Sequence, residues 1–198
     1  STPSKTPRVP DIEKDMRVVA SGTGFVVHPG CLMTNAHVAK DADAFLIVGG
    51  KGNSEKLLAN VLAISDRDDL DLALIKCDEL KAPPLRISET QPRLGSELRL
   101  LGYPLFNKIG GSLKVTRGII SGLPPHTGMA GALSDYKDYF LYDATINPGN
   151  SGGPSCDVHG NVIAVNTAIL APHAIGGGYA AGVSADNALK FIKKHVSN

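Results

Sequence analysis

Asn147-Pro148-Gly149-Asn150-Ser151-Gly152-Gly153-Pro154 sets three glycines around one serine, between the short apolar runs Tyr139–Tyr142 and Gly153–Cys156. A segment of this composition is a turn between strands. Glycine reaches positive φ and lets backbone approach another molecule closely, so the successive N–H groups of Gly149, Asn150 and Ser151 can converge on one point. If Ser151 Oγ attacks a carbonyl, the Gly149 and Ser151 amides can receive the developing oxyanion, typically about 2.7–4 kcal/mol per donor. An ordinary glycine-rich β-turn has the same composition, so the segment needs partners elsewhere in the chain before it implies chemistry.

A serine hydroxyl is a weak nucleophile without a base, and the base needs a group to orient it. Of six histidines, His28, His126, His159, His173 and His195 read as solvated loop, hairpin or helix-end residues. His37 differs, because in Leu32-Met33-Thr34-Asn35-Ala36-His37-Val38 it stands where an apolar strand ends. For the acid, Asp66, Asp68, Asp69 and Asp71 cluster ahead of Leu72-Ala73-Leu74-Ile75. Only Asp71 abuts that strand, where a carboxylate can be partly buried against an imidazole N–H, fix its tautomer and stabilise the imidazolium formed during attack.

The rest of the chain supplies strands for such a site. Apolar, turn-bounded pieces fall at Gly24–Val27, Cys31–Thr34, Ala44–Val48, Leu57–Ile64 and Leu72–Cys77. After a Pro-rich linker at 82–92, more follow at Glu97–Gly102, Leu113–Ser121, Tyr139–Tyr142, Gly153–Cys156, Val162–Asn166 and Gly178–Gly182. With 22 Gly, 13 Pro and only 5% aromatic residues in 198, this predicts a mostly β protein. Two strand series of similar length predict two antiparallel barrels or sandwiches with a site between them. The period changes at the end, where Ala188, Leu189, Phe191, Ile192 and Val196 recur at helical spacing, with Ser184 as N-cap and Lys190, Lys193, Lys194 and His195 near the C-terminus. Residues 1–14, with three prolines, read as an arm, and Asp11–Arg17 could form a helical turn.

Lys and Arg number 20 against 19 Asp and Glu, a net charge of +1 that gives no excess to hold nucleic acid or an anionic membrane. No apolar stretch approaches the roughly 18 residues of a membrane helix, and residues 1–20 lack the layout of a signal peptide. Cys31, Cys77 and Cys156 fit neither a disulfide framework nor a metal motif and read as buried thiols.

Together the segments resemble the trypsin-like serine peptidases and, within them, the HtrA/Deg family. The matching stretches are Ser21–Val27, Thr34–Val38, Asp71–Lys76, Val115–Ser121, Asp143–Pro154 and Asn166–Pro172, in the family order His, Asp, Ser. The resemblance implies an all-β fold of two six-stranded antiparallel β-barrels of the trypsin-like type with a C-terminal helix. The expected bounds are about 15–90 for the first barrel, 91–183 for the second and 184–196 for the helix. It implies peptide hydrolysis through an acyl-enzyme by His37, Asp71 and Ser151, with an oxyanion hole at Gly149, Asn150 and Ser151 and no metal or cofactor. The competing G-x-S-x-G reading, an α/β-hydrolase, requires the order Ser, acid, His and more chain after Ser151 than this one has.

The same resemblance places the S1 pocket at Thr145, Ile146, Ala168, Ile169 and Leu170, which hold no acid, so small or aliphatic P1 residues are expected. Unfolded polypeptides are the expected substrates, and a location outside the cytoplasm is the expected setting. Asn150 stands where digestive relatives carry an aspartate that pairs with a new N-terminus, so activation is expected to depend on loop ordering, with Gly128–Asp138 and Ala171–Gly178 as the candidate loops. Relatives usually continue into PDZ domains, and none follows within these residues. Many form homotrimers through aromatic residues near the domain's start, whereas residues 1–24 contain no Phe, Tyr or Trp, which speaks against a trimer. The alternative from another class is a resting or inactive protease-fold protein that binds peptides or scaffolds an assembly.

Overall fold

The computed structural model describes residues 17–49, 55–65, 70–104, 111–127, 138–170 and 178–196, with backbone alone at 55 and 168–170. The first half comprises β1 (Phe25–His28), β2 (Cys31–Thr34), a single helical turn α1 (Ala36–Ala39), β3 (Phe45–Gly49), β4 (Glu55–Ile64) and β5 (Ala73–Lys76). These strands form an antiparallel sheet in the order β1-β2-β5-β4-β3. Side chains alternate across a sheet, and both faces of its centre are covered. Cys31, Met33, Leu72 and Leu74 pack into one buried cluster, whereas Leu32, Ala73, Ile75 and Cys77 pack into another. This two-sided burial is why β2 and β5 read as unbroken apolar runs.

The expected six-stranded first barrel is a five-stranded sheet among the described residues. Residues 17–24, which would have to bridge β1 and β3, join no ladder, so both strands are edges.

In the second half, β6 (Glu97–Gly102), β7 (Lys114–Gly122), β8 (Phe140–Tyr142), β9 (Pro154–Cys156), β10 (Val162–Leu170) and β11 (Tyr179–Ser184) close into a barrel in the order β10-β11-β8-β7-β6-β9. Leu98, Leu100, Ile120, Phe140, Tyr142, Ile163 and Ala180 belong to one buried cluster contributed by its strands. Closure satisfies every strand edge, which the first sheet does not achieve.

The chain ends in α2 (Ala185–His195), whose N-cap Ser184 accepts a hydrogen bond from the Asn187 N–H at 3.3 Å. Its buried residues Ala188 and Phe191 join Met33, Leu72 and Leu74 of the first half and Val162, Val165 and Val183 of the second in one cluster. That shared cluster, together with the linker, holds the halves together. Leu85 N–H donates to the Val26 carbonyl at 2.9 Å, and Ser88 N–H to the Val162 carbonyl at 2.8 Å, so the linker binds both sheets. Cys31, Cys77 and Cys156 are buried and unpaired. Burial pushes the thiols of Cys31 and Cys156 up to about 11, with the neighbouring Asp157 charge adding to the shift at Cys156.

Candidate active site

His37 sits in α1, one turn beyond the end of β2, and two contacts fix it to Asp71. Its backbone N–H donates to Asp71 Oδ1 at 2.9 Å, and its ring Nδ1 lies 2.6 Å from Asp71 Oδ2. One carboxylate therefore sets both the position of the helical turn and the rotation of the ring. Asp71 is held in turn: its N–H donates to Tyr139 Oη at 3.2 Å, and its carbonyl accepts from Asn35 Nδ2 at 2.8 Å. The Asp71 side chain is 15% exposed and the His37 side chain 51%, so the acid is shielded while the imidazole faces solvent. The hydrogen bond to Asp71 raises the His37 pKa above its ordinary value; partial burial opposes this, and the Asp71 charge reinforces it.

Ser151 lies on the glycine-bearing turn ahead of β9, whose alternate peptide planes are pinned at both ends. In the plane between residues 149 and 150, the Gly149 carbonyl accepts from Thr23 Oγ1 at 2.6 Å and the Asn150 N–H donates to the Asn147 carbonyl at 3.0 Å. In the plane between 151 and 152, the Ser151 carbonyl accepts from the Thr23 N–H at 2.9 Å and the Gly152 N–H donates to the Asn166 carbonyl at 2.8 Å. Among the described residues, the N–H groups of Gly149 and Ser151 have no acceptor. The N–H groups of Gly149 and Ser151 are thus left free, whereas the Asn150 N–H, also expected at the oxyanion hole, is committed within the turn. Gly149 has φ of 99° and Gly152 of 83°, a region that glycine enters without steric penalty.

Around the candidate triad, Asn35, Thr167 and Gly22 add to the contacts between the two halves. Asn35 Nδ2 donates to Thr167 Oγ1 at 3.1 Å as well as to Asp71, and the Thr167 carbonyl accepts from Ser151 Oγ at 3.3 Å. Gly22 separates Ser151 from the residue after His37: a Cβ there would stand 3.0 Å from both the Ser151 carbonyl and the Val38 methyls. Among the described residues, no hydrogen bond joins Ser151 Oγ to His37; the hydroxyl is turned to Thr167. The strand carrying Thr167 is anchored by Asn166, whose Oδ1 accepts from Tyr142 Oη at 2.7 Å and Ser155 Oγ at 2.6 Å.

The expected pocket residues separate. Thr145 is exposed, with its carbonyl accepting from Thr116 Oγ1 at 2.8 Å, whereas Ile146 is buried with the barrel cluster. Ala168, Ile169 and Leu170 continue β10 opposite Ala181, Ala180 and Tyr179. Residues 1–16, 66–69, 128–137 and 171–177, which include the proposed arm, three of the clustered aspartates, His173 and most of both candidate loops, lie outside the described residues. Sequence reasoning gave no role to Thr23, Asn35, Tyr139 or Thr167, though three of the four lie within the quoted motifs.

Residues 22–165 match the model of the trypsin-like peptidase domain, and the chain belongs to that family. Within the family it is similar to proteases of the DegP and HtrA type. It is 34% identical over 182 residues to a probable periplasmic serine endoprotease, DegP-like, of Brucella suis, covering 91% of this chain and 34% of that one. Among solved structures, the HtrA-type protease AlgW with a decapeptide matches with a TM-score of 0.72 and 29% identity, over 88% of this chain and 51% of that one. The inactive form of the Rv3671c protease of M. tuberculosis matches with a TM-score of 0.70 and 26% identity, over 89% and 84% respectively. The chain spans about a third of the length of the curated relative it matches. Among the described residues, no helix is long and apolar enough to cross a membrane.

Proposed function

We propose that this chain is a serine endopeptidase that hydrolyses peptide bonds in unfolded polypeptides through an acyl-enzyme. The observation that carries the reading is the pair of unpaired N–H groups flanking Asn150 on the turn that holds Ser151, with the His37–Asp71 pair across Gly22. In this mechanism the Ser151 hydroxyl turns from the Thr167 carbonyl to His37 Nε2 and gives it its proton as Oγ bonds to the scissile carbonyl carbon. Asp71 keeps the other ring proton on Nδ1 and stabilises the imidazolium. The carbonyl oxygen, now anionic, lies against the Gly149 and Ser151 N–H groups. Collapse breaks the C–N bond, and His37 returns its proton to the departing amine. Water then repeats the cycle on the ester, giving its proton to His37 and releasing Ser151.

The absence of an acidic side chain at Thr145, Ile146, Ala168, Ile169 and Leu170 supports cleavage after small or aliphatic residues. The likeness to periplasmic relatives supports work outside the cytoplasm. A second reading, a resting protease-fold peptide binder, draws on the Ser151 hydroxyl being bonded to Thr167 instead of His37, although such bonds often tighten only when substrate is bound.

Gel-monitored digestion of unfolded casein by the purified chain, beside a Ser151→Ala variant, tests the proposal. Cleavage lost in the variant supports it; no cleavage by either supports the resting reading. Cut sites dominated by basic P1 residues would overturn the pocket assignment alone.

A further inference from the structure

We infer that Thr23 is a positioning residue for the oxyanion donors, holding the turn 149–152 in the geometry that leaves the Gly149 and Ser151 N–H groups free. The inference rests on the endopeptidase reading and assigns a role that the Ser-His-Asp arrangement does not itself specify.

Thr23 is 4% exposed and engages the turn at two carbonyls. Its hydroxyl donates to the Gly149 carbonyl at 2.6 Å, and its N–H donates to the Ser151 carbonyl at 2.9 Å. These carbonyls belong to the peptide planes on either side of the Asn150–Ser151 plane, whose N–H is one of the two free donors. Pinning the outer planes limits the plane between them, whose own carbonyl, that of Asn150, accepts from the Gly153 N–H at 3.0 Å. The other free donor belongs to the Pro148–Gly149 plane, which meets the pinned Gly149–Asn150 plane at the Gly149 Cα. Glycine alone would let that junction rotate widely. The hydroxyl of Thr23 fixes the plane on the Asn150 side of it from the carbonyl end, opposite the Asn150 N–H that donates to the Asn147 carbonyl.

Thr23 is itself braced from both halves. Its hydroxyl oxygen accepts from the Tyr103 N–H at 3.0 Å, just after β6, and its carbonyl accepts from Thr34 Oγ1 at 2.8 Å, at the end of β2. Because the hydroxyl has one proton, accepting from Tyr103 commits that proton to Gly149. Tyr103 therefore sets the direction in which Thr23 donates, and strand β6 is coupled to the oxyanion loop through one side chain.

The test compares Thr23→Val, which keeps the shape and removes the hydroxyl, with Thr23→Ser, which keeps the hydroxyl and removes a methyl. Active sites are titrated in each, so that unfolded molecules are not counted, and kcat, KM and the affinity of a peptide boronate are measured on the full chain. The valine variant is expected to lose about tenfold or more in kcat with KM within about threefold, less than the 10²–10³ for outright loss of a donor. Boronate affinity should fall in step, and the serine variant should stay within about threefold of the parent. A valine variant with parental kcat per titrated site, and only a lower melting temperature, overturns the inference while leaving the endopeptidase reading intact. A serine variant as impaired as the valine one also overturns it, by assigning the effect to the methyl group. A parent chain without Ser151-dependent hydrolysis overturns both.

Discussion

Replacing Asp71 by Asn keeps the shape of the side chain and reverses one hydrogen bond. In the structure Asp71 Oδ1 accepts the His37 backbone N–H at 2.9 Å, while Oδ2 lies 2.6 Å from ring Nδ1. An amide satisfies the backbone donor only by placing its oxygen at the Oδ1 position, which puts its NH₂ against Nδ1. The ring must then accept at Nδ1 and carry its proton on Nε2, where it cannot take one from Ser151. Mere loss of a charge-assisted hydrogen bond, about 1.5–3 kcal/mol, would slow the enzyme roughly 10- to 150-fold. The reversed tautomer predicts about 10⁴-fold in kcat, close to 5.5 kcal/mol.

The pH profile carries a second, independent readout. His37 must be neutral to act as base, and its hydrogen bond to Asp71 holds its pKa above the ordinary value, so the acidic limb of kcat/KM should have its midpoint above about 6.5. Asp71→Asn removes both raising contributions, leaving partial burial, so the limb of the residual activity should move below about 6.5. By the same linkage, the His37–Asp71 pair stabilises the parent fold fully below the unfolded histidine's pKa, and that stabilisation is lost as pH rises through the raised folded value. The assay is hydrolysis of a fluorogenic peptide from pH 5 to 9, with active sites titrated. A loss of about 150-fold or less, or an acidic limb that stays in place, would refute the reasoning.

Gly152→Ala should lower stability by at least about 1–2 kcal/mol from its positive φ alone, and its Cβ would further overlap Thr34 Oγ1 and the Thr23 carbonyl; urea unfolding measures this, with hydrolysis falling in parallel. Asn150→Asp would place a carboxylate where Asn150 Oδ1 is buried with no partner, so the variant should be destabilised at pH 7 by about 3–5 kcal/mol. Burial raises that carboxyl's folded pKa, so the deficit should shrink as pH falls toward the ordinary aspartate value of about 3.9; a deficit independent of pH would contradict this. Cys31, Cys77 and Cys156 are buried, so the native chain should resist a thiol reagent at pH 8 and all three should react after denaturation.

The strands were legible because each is a short run closed by a turn; at Leu32, Met33, Leu72 and Ala73 both faces are covered, so alternation is lost and it is the short length between turns that marks a strand. The end helix was legible from its period and from Ser184. The turn α1 was not, because four residues are too few to display a period. The shortfall in the first barrel was also hidden, since an apolar run declares a strand but not which neighbour it pairs with. At the candidate site, residue types and their order pointed to His37, Asp71 and Ser151. The geometry that relates them did not show, because it depends on contacts such as Thr23 to Gly149 and Asn35 to Thr167, which join residues more than a hundred positions apart. The commitment of the Asn150 N–H to Asn147 was likewise invisible, because glycine content shows that a turn can form without showing which amides it leaves free.

The most direct test of the central claim is covalent labelling of the chain with a serine-reactive fluorophosphonate, the adduct being located by peptide mass spectrometry. The account predicts one adduct, on Ser151, that is lost in a His37→Ala variant whose fold is intact by circular dichroism. An unlabelled chain, or labelling that persists without His37, would contradict it.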